Sequence, residues 1–134
     1  MQHNTDIPDT KVEIQNCDFE SNSATAFSFA EGGALKVEDI DEPSSSIEVR
    51  GCIFRDNKLS LNSISPITSP RLEGGAIYFE NCASALIIGM NTIFEGNVAS
   101  SGGGAIYSSF TTLKVNPNTL PFGTNIPDNI EEYP

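Results

Sequence analysis

Few side chains in this sequence have the types and spacing that could do chemistry. Cys17, Cys52 and Cys82 show neither CxxC spacing nor histidine partners, so they do not form the four-ligand set that a zinc site needs. An odd number of thiols also cannot be fully paired within one chain. The only histidine, His3, lies in a polar opening stretch and is a poor candidate for a base. The run Glu38-Asp39-Ile40-Asp41-Glu42 could offer oxygens to calcium. It lacks the glycine turn and terminal glutamate of an EF-hand loop, so it reads as a solvated acidic segment. No cofactor is expected.

Seven basic and eighteen acidic residues give a net charge of -11. Clustered Lys and Arg are needed to contact phosphate backbones, so nucleic acid is excluded as an expected partner. The 134 residues suit one domain. No apolar run reaches the roughly 18 residues of a membrane helix, so membrane insertion by this segment is not expected. The opening MQHNTDIPDT lacks the basic start and apolar stretch of a signal peptide.

The elements that must position these residues are legible as a repeat. Phe-x-x-Asn occurs at Phe19 to Asn22, Phe54 to Asn57, Phe94 to Asn97 and, in a degenerate setting, Phe122 to Asn125. Between successive copies stands Gly-Gly-Ala followed by an aliphatic residue: Gly32-Gly33-Ala34-Leu35, Gly74-Gly75-Ala76-Ile77 and Gly103-Gly104-Ala105-Ile106. Aligning on phenylalanine sets VEIQNCDF at 12–19 beside IEVRGCIF at 47–54 and IIGMNTIF at 87–94. Val12 and Ile14, like Ile47 and Val49, alternate with glutamates as in a strand with one buried face. Cys17 and Phe19, like Cys52 and Phe54, then fall out of phase with that pair, which requires a corner. At the corner stand Asn16, Gly51 and Asn91, types that tolerate the left-handed conformation.

The segment after Gly-Gly-Ala reads as a third strand, since Leu35 and Val37, and Ile77 and Phe79, alternate with outward residues. The paired glycines turn the chain into it. The connections between each Asn and the next Gly-Gly vary in length, with Pro66 and Pro70 in the longest. No Asn-Gly or Asp-Gly hairpin signal appears, which argues against a sandwich. The predicted fold is an all-β, right-handed parallel β-helix, a solenoid of three to four coils with three short strands per coil. Equivalent residues should then stack directly above one another. Phe19, Phe54, Phe94 and Phe122 would form an interior ladder. Asn22, Asn57, Asn97 and Asn125 would form a turn ladder with amides bonded above and below. Glu20, Arg55 and Glu95 would alternate in sign outside.

Polysaccharide lyases and hydrolases use this architecture with carboxylates converging on an outer face. Here the outward columns hold Glu13 above Glu48, Asp18 beside Ile53, and Lys36, Tyr78 and Tyr107. The stacked glutamates read as solvated neighbours rather than an acid and base pair. Lys36, Tyr78 and Tyr107 would present a flat exposed stripe for a sugar or a protein. Cys17 and Cys52 would stack inward as small apolar groups, although strand spacing also permits a disulfide.

With these motifs assembled, the chain resembles the polymorphic outer membrane protein repeat family. That family is known from chlamydial autotransporter passengers and from surface proteins of other organisms, including protists. The shared marks are GGA followed by I, L or V, and FxxN, over roughly residues 12 to 125. The resemblance implies a β-helical module on a cell surface or outside the cell, acting in adhesion or assembly without a catalytic centre. Its partner would be a protein or glycan, or further copies of itself. The expected organisation is a leader or cap at 1–11, repeats at 12–116 and a Pro-rich coil or cap at 117–134. The tail should cover a strand edge because proline cannot extend a ladder. If instead the coils dock end to end, they would build a fibre with residues 58–73 displayed outward.

Overall fold

Short strands separated by residues able to take positive φ give a chain that turns corners without reversing direction. In the computed structural model, which describes residues 10–62, 64, 70–116 and 123–133, the first coil holds β1 (Lys11–Gln15), β2 (Asp18–Glu20), β3 (Ser23–Ala26), β4 (Phe29–Glu31) and β5 (Leu35–Glu38). The second holds β6 (Ser46–Arg50), β7 (Ile53–Arg55), β8 (Lys58–Leu61), β9 (Arg71–Glu73) and β10 (Ile77–Glu80). The third holds β11 (Ser84–Ile88), β12 (Ile93–Glu95) and β13 (Ile106–Ser109), and the fourth β14 (Thr112–Asn116) and β15 (Ile130–Tyr133). His3 and the rest of residues 1–9, Pro66, Phe122, Pro117, Pro121 and Pro134 lie outside the described residues.

Every strand pairing is parallel and joins one coil to the next. Sheet I is β1-β6-β11-β14, sheet II is β2-β7-β12, and sheet III is β5-β10-β13-β15. The coil is a right-handed parallel β-helix. Its corners are columns of left-handed backbone. Asn16, Gly51 and Asn91 have φ of 54, 59 and 61° between sheets I and II. Ser21, Asp56 and Gly96 have 56, 55 and 69° after sheet II, and Gly32, Gly74 and Gly103 have 72, 74 and 59° before sheet III. Small, amide or carboxyl side chains dominate these columns because a Cβ is otherwise disfavoured there.

The core runs up the axis. Ile47, Val49, Cys52, Phe54, Ile77, Phe79, Ile87, Phe94 and Ile106 are all fully buried. Phe19 stacks on Phe54 at 4.8 Å and 5°, and Phe54 on Phe94 at 4.7 Å and 3°. The strand spacing sets this separation, so the rings lie flat on one another as the backbone ladder dictates.

Four expectations are corrected. The first two coils carry five strands rather than three, because the variable connections are not free loops. β3 pairs with β8, and β4 with β9, burying Leu59, Leu72 and Ala99 against Ala26, Ala30 and Leu61 in a second small core. In the third coil these arms shrink to bridges from Val98 to Lys58 and from Gly102 to Glu73. Residues 58–61 and 71–73 therefore belong to the stack and are not an outward loop. Second, the alignment of 87–94 slips before the corner: Ile87 pairs with Val49, not Ile47, and Ala85 takes the Ile47 column. The chain absorbs the difference in a turn around Gly89 and Met90, where Thr92 N–H donates to the Gly89 carbonyl at 3.1 Å and Met90 is exposed. Third, the tail is more than a cover, since Ile130–Tyr133 continues sheet III beside β13; Pro127, the one described proline of the tail, precedes that strand. Fourth, the leader ends earlier than residue 11: Lys11 opens β1 opposite Ser46, and the Thr10 carbonyl accepts from Ser46 N–H.

Candidate functional site

The turn amides form one continuous relay. Asn22 Nδ2 donates to Asn57 Oδ1 at 2.9 Å, Asn57 Nδ2 to Asn97 Oδ1 at 2.9 Å, and Asn97 Nδ2 to Asn125 Oδ1 at 2.9 Å. Each Oδ1 also accepts the backbone N–H of the Asn one coil earlier. The second Nδ2 hydrogen goes to the phenylalanine carbonyl of the coil before, at 2.8 Å from Asn57 to Phe19 and 2.9 Å from Asn97 to Phe54. Two donors and two lone pairs are thus all used, as a buried carboxamide requires. Asn125 passes its amide to Asn129 Oδ1 at 2.9 Å, which ends the relay.

Beside it, the second glycine of each pair meets the next coil's backbone. A Cβ on Gly33 would fall on the Gly75 carbonyl oxygen, one on Gly75 on the Gly104 carbonyl oxygen, and one on Gly104 on the backbone of Ile126.

Outside sheet III the expectation of an exposed stripe is overturned. Tyr78 and Tyr107 do point away from the axis and stack at 5.3 Å and 2°, but they are only 1% and 6% exposed. The arms cause this. Strands β4 and β9 run alongside the outer face and set Glu31, Arg71 and Glu73 around the rings. Lys36 is held by Glu31 at 2.8 Å and Glu38 at 3.1 Å and lies 5.9 Å from the Tyr78 ring centre. Arg71 is held by Glu73 at 2.9 Å.

Burial, then the Glu31 carboxylate, pushes the Tyr78 phenol far above its ordinary value, and burial, then Glu73, raises that of Tyr107. A raised folded-state value means that above pH 10 the unfolded chain releases these protons while the native one retains them. Stability should therefore fall with rising pH from about 10, by up to roughly 1.4 kcal/mol per pH unit for each tyrosine. Denaturant titrations at pH 8 and 11 on the wild type and Tyr78→Phe check this, and the variant should lose part of the slope.

The remaining candidates are structural. Arg55 sits 3.2 Å from Glu20 and 3.7 Å from Glu95 on the exposed face of sheet II, a solvated column of modest worth. The three cysteines are free thiols. Cys17 Sγ donates to the Gln15 carbonyl at 3.1 Å and Cys52 Sγ to that of Arg50 at 3.2 Å, and burial raises the thiols of Cys52 and Cys82. Asp39 in the acidic run accepts from Asn81 Nδ2 at 3.0 Å. Among the described residues no three His, Cys, Asp or Glu side chains converge as a metal site would need.

A cleft of about 510 Å³ opens at the C-terminal end of sheet III, lined by Arg71, Glu73, Tyr78, Glu80, Tyr107, Ser109, Phe110 and Tyr133. Phe110 and Tyr133 were not singled out in the sequence. The available signal was position, because Phe110 follows its Gly-Gly-Ala strand at the offset where Asp39 and Asn81 follow theirs.

Parallel ladders, left-handed corners and a dry axial stack define a β-helical solenoid. A family model described as right handed beta helix region matches residues 8–120, and the chain belongs to that family. No curated protein and no solved structure matches it.

Proposed function

We propose that this chain is a non-catalytic β-helix module of the polymorphic outer membrane protein repeat type, extracellular or on a cell surface, that binds a protein or glycan partner. The observation carrying this reading is where the repeated residues are spent. FxxN and Gly-Gly-Ala sit in the axial ring stack, the amide relay and the close coil contacts, so their repetition maintains a rigid scaffold. What varies between coils is the arms and the outer face of sheet III, where a rigid scaffold displays binding residues.

The carboxylates on that face are partly neutralised by Lys36 and Arg71. This supports a binding surface over acid and base catalysis. An end-to-end fibre is the lesser reading. The relay is open at Asn22, whose Oδ1 has no partner among the described residues, but Asn129 closes it at the other end, so the two ends are not complementary there.

Two measurements test the proposal. Beads coated with the chain should adhere to cell or matrix surfaces above uncoated beads, and a panel of neutral and acidic polysaccharides should remain uncleaved. Cleavage of any of them with turnover would replace the reading with an enzymatic one.

A further inference from the structure

The left-handed corner after sheet III is occupied by Asp39, Asn81 and Phe110, with φ of 61, 53 and 47°. Asn and Asp suit this conformation through local hydrogen bonding, whereas a residue without such a side chain is disfavoured there. Phe110 recovers little of that by burial, being 60% exposed. Its ring instead meets Tyr133, itself 57% exposed, edge to face at 5.6 Å and 82°. Two exposed aromatic rings thus stand at the mouth of the cleft.

Inside that cleft Tyr107 is 94% buried by its 6% exposure, and its hydroxyl makes no hydrogen bond among the described residues. No fully enclosed side-chain oxygen lacks a partner, so the hydroxyl opens onto the cleft. A buried phenol with a free hydroxyl beneath two exposed rings has the form of a ligand pocket.

Charge selects the ligand. Lys36 is committed to Glu31 and Glu38, and Arg71 to Glu73. Glu80, in the wall, has no cationic partner among the described residues. The wall holds two carboxylates, Glu73 and Glu80, against the single cation Arg71, so an incoming positive charge would balance the excess acid. Polyanions are repelled, and a neutral sugar would leave the Glu80 carboxylate uncompensated.

We propose that this cleft receives a lysine or arginine side chain from a basic segment of a partner protein. The cation lies against Phe110 and Tyr133 and donates to Tyr107 and Glu80. This names the partner chemistry of the adhesive reading above and rests on it.

The test uses the full chain at 150 mM salt and a glycine-flanked dilysine peptide, its arginine and norleucine counterparts, and maltohexaose. Binding is followed by calorimetry and by chemical shifts of Tyr107 and Tyr133. The lysine and arginine peptides should bind and the other two probes should not. Phe110→Asn should weaken binding at least tenfold while keeping or raising the melting temperature, since it restores the residue type of the column. Tyr133→Ser supplies a second charge-neutral variant with the same expected loss, and Glu80→Gln should weaken binding and flatten its salt dependence. Equal binding by Phe110→Asn and Tyr133→Ser would expose mere attraction to an acidic surface and overturn the site. Binding of maltohexaose, or of the norleucine peptide, would overturn the choice of a cation. Peptide binding and bead adhesion are separate readouts, so loss of one with the other intact shows which proposal has failed.

Discussion

Replacing Asn97 with aspartate should destabilise the chain by about 3–5 kcal/mol at neutral pH. Asn97 is 0% exposed. Its Oδ1 receives the N–H and Nδ2 of Asn57, and aspartate can still accept both. Its Nδ2, however, donates to Asn125 Oδ1 and the Phe54 carbonyl, each at 2.9 Å, and there a carboxylate oxygen would face two acceptors without water. The buried charge must raise the folded-state carboxyl value above the roughly 3.9 of the unfolded chain. Below that value both states hold the proton, and the penalty is smallest, because a protonated carboxyl restores one donor. As pH climbs, the unfolded state releases its proton and the native state does not, so the deficit against wild type widens by about 1.4 kcal/mol per pH unit up to the folded value. Denaturant midpoints at pH 4 and 7 measure this. A deficit that is equal at both, or below about 1 kcal/mol at pH 7, would show that the relay is not a dry network.

The relay was readable in advance because a β-helix converts sequence columns into spatial ones. Once Phe19, Phe54 and Phe94 share a column, Asn22, Asn57 and Asn97 must too, and the corner residues between sheets I and II follow from the change of inward phase. The arms were harder to see. Ser23–Ala26 is short and polar, and its partner Lys58–Leu61 reveals its strand character only when stacked on it. Parity correctly pointed Tyr78 and Tyr107 away from the axis. It carries no information on what lies beyond the sheet, and there the arms β4 and β9 covered them. The turn at Gly89 and Met90 escaped notice because alignment on a phenylalanine carries a register only as far as the nearest inserted residue. Phe110 was overlooked for the opposite reason, since its departure from Asp39 and Asn81 matters only once that column is known to be left-handed. A residue that breaks its own column is where local preference and fold disagree, and such disagreements concentrate at functional sites.

The second large effect concerns a methyl group. Gly75 does not have positive φ, so its need for glycine is not conformational. An added Cβ would fall on the Gly104 carbonyl oxygen and lie 2.8 Å from the backbone N and C of Val98. None of these atoms is free to retreat. Gly75 N–H is tied to the Gly103 carbonyl at 2.9 Å and Val98 N–H to that of Asn57 at 2.8 Å, next to the amide relay. Separating the coils would lengthen the ring stack and the relay together, so relief in one place costs contacts in the other. Gly75→Ala is therefore expected to lose at least about 3 kcal/mol, at the upper end for overpacking because backbone rather than side chain must move. Gly123→Ala is the matched control. The three atoms nearest its Cβ would all belong to the Glu95 side chain, the closest at 3.1 Å, and that side chain can shift toward solvent, so the change should stay within about 0.5 kcal/mol. Chemical denaturation of the two variants decides the point, and a Gly75→Ala chain within about 1 kcal/mol of wild type would mean that the coils are not held at the distance on which both ladders depend.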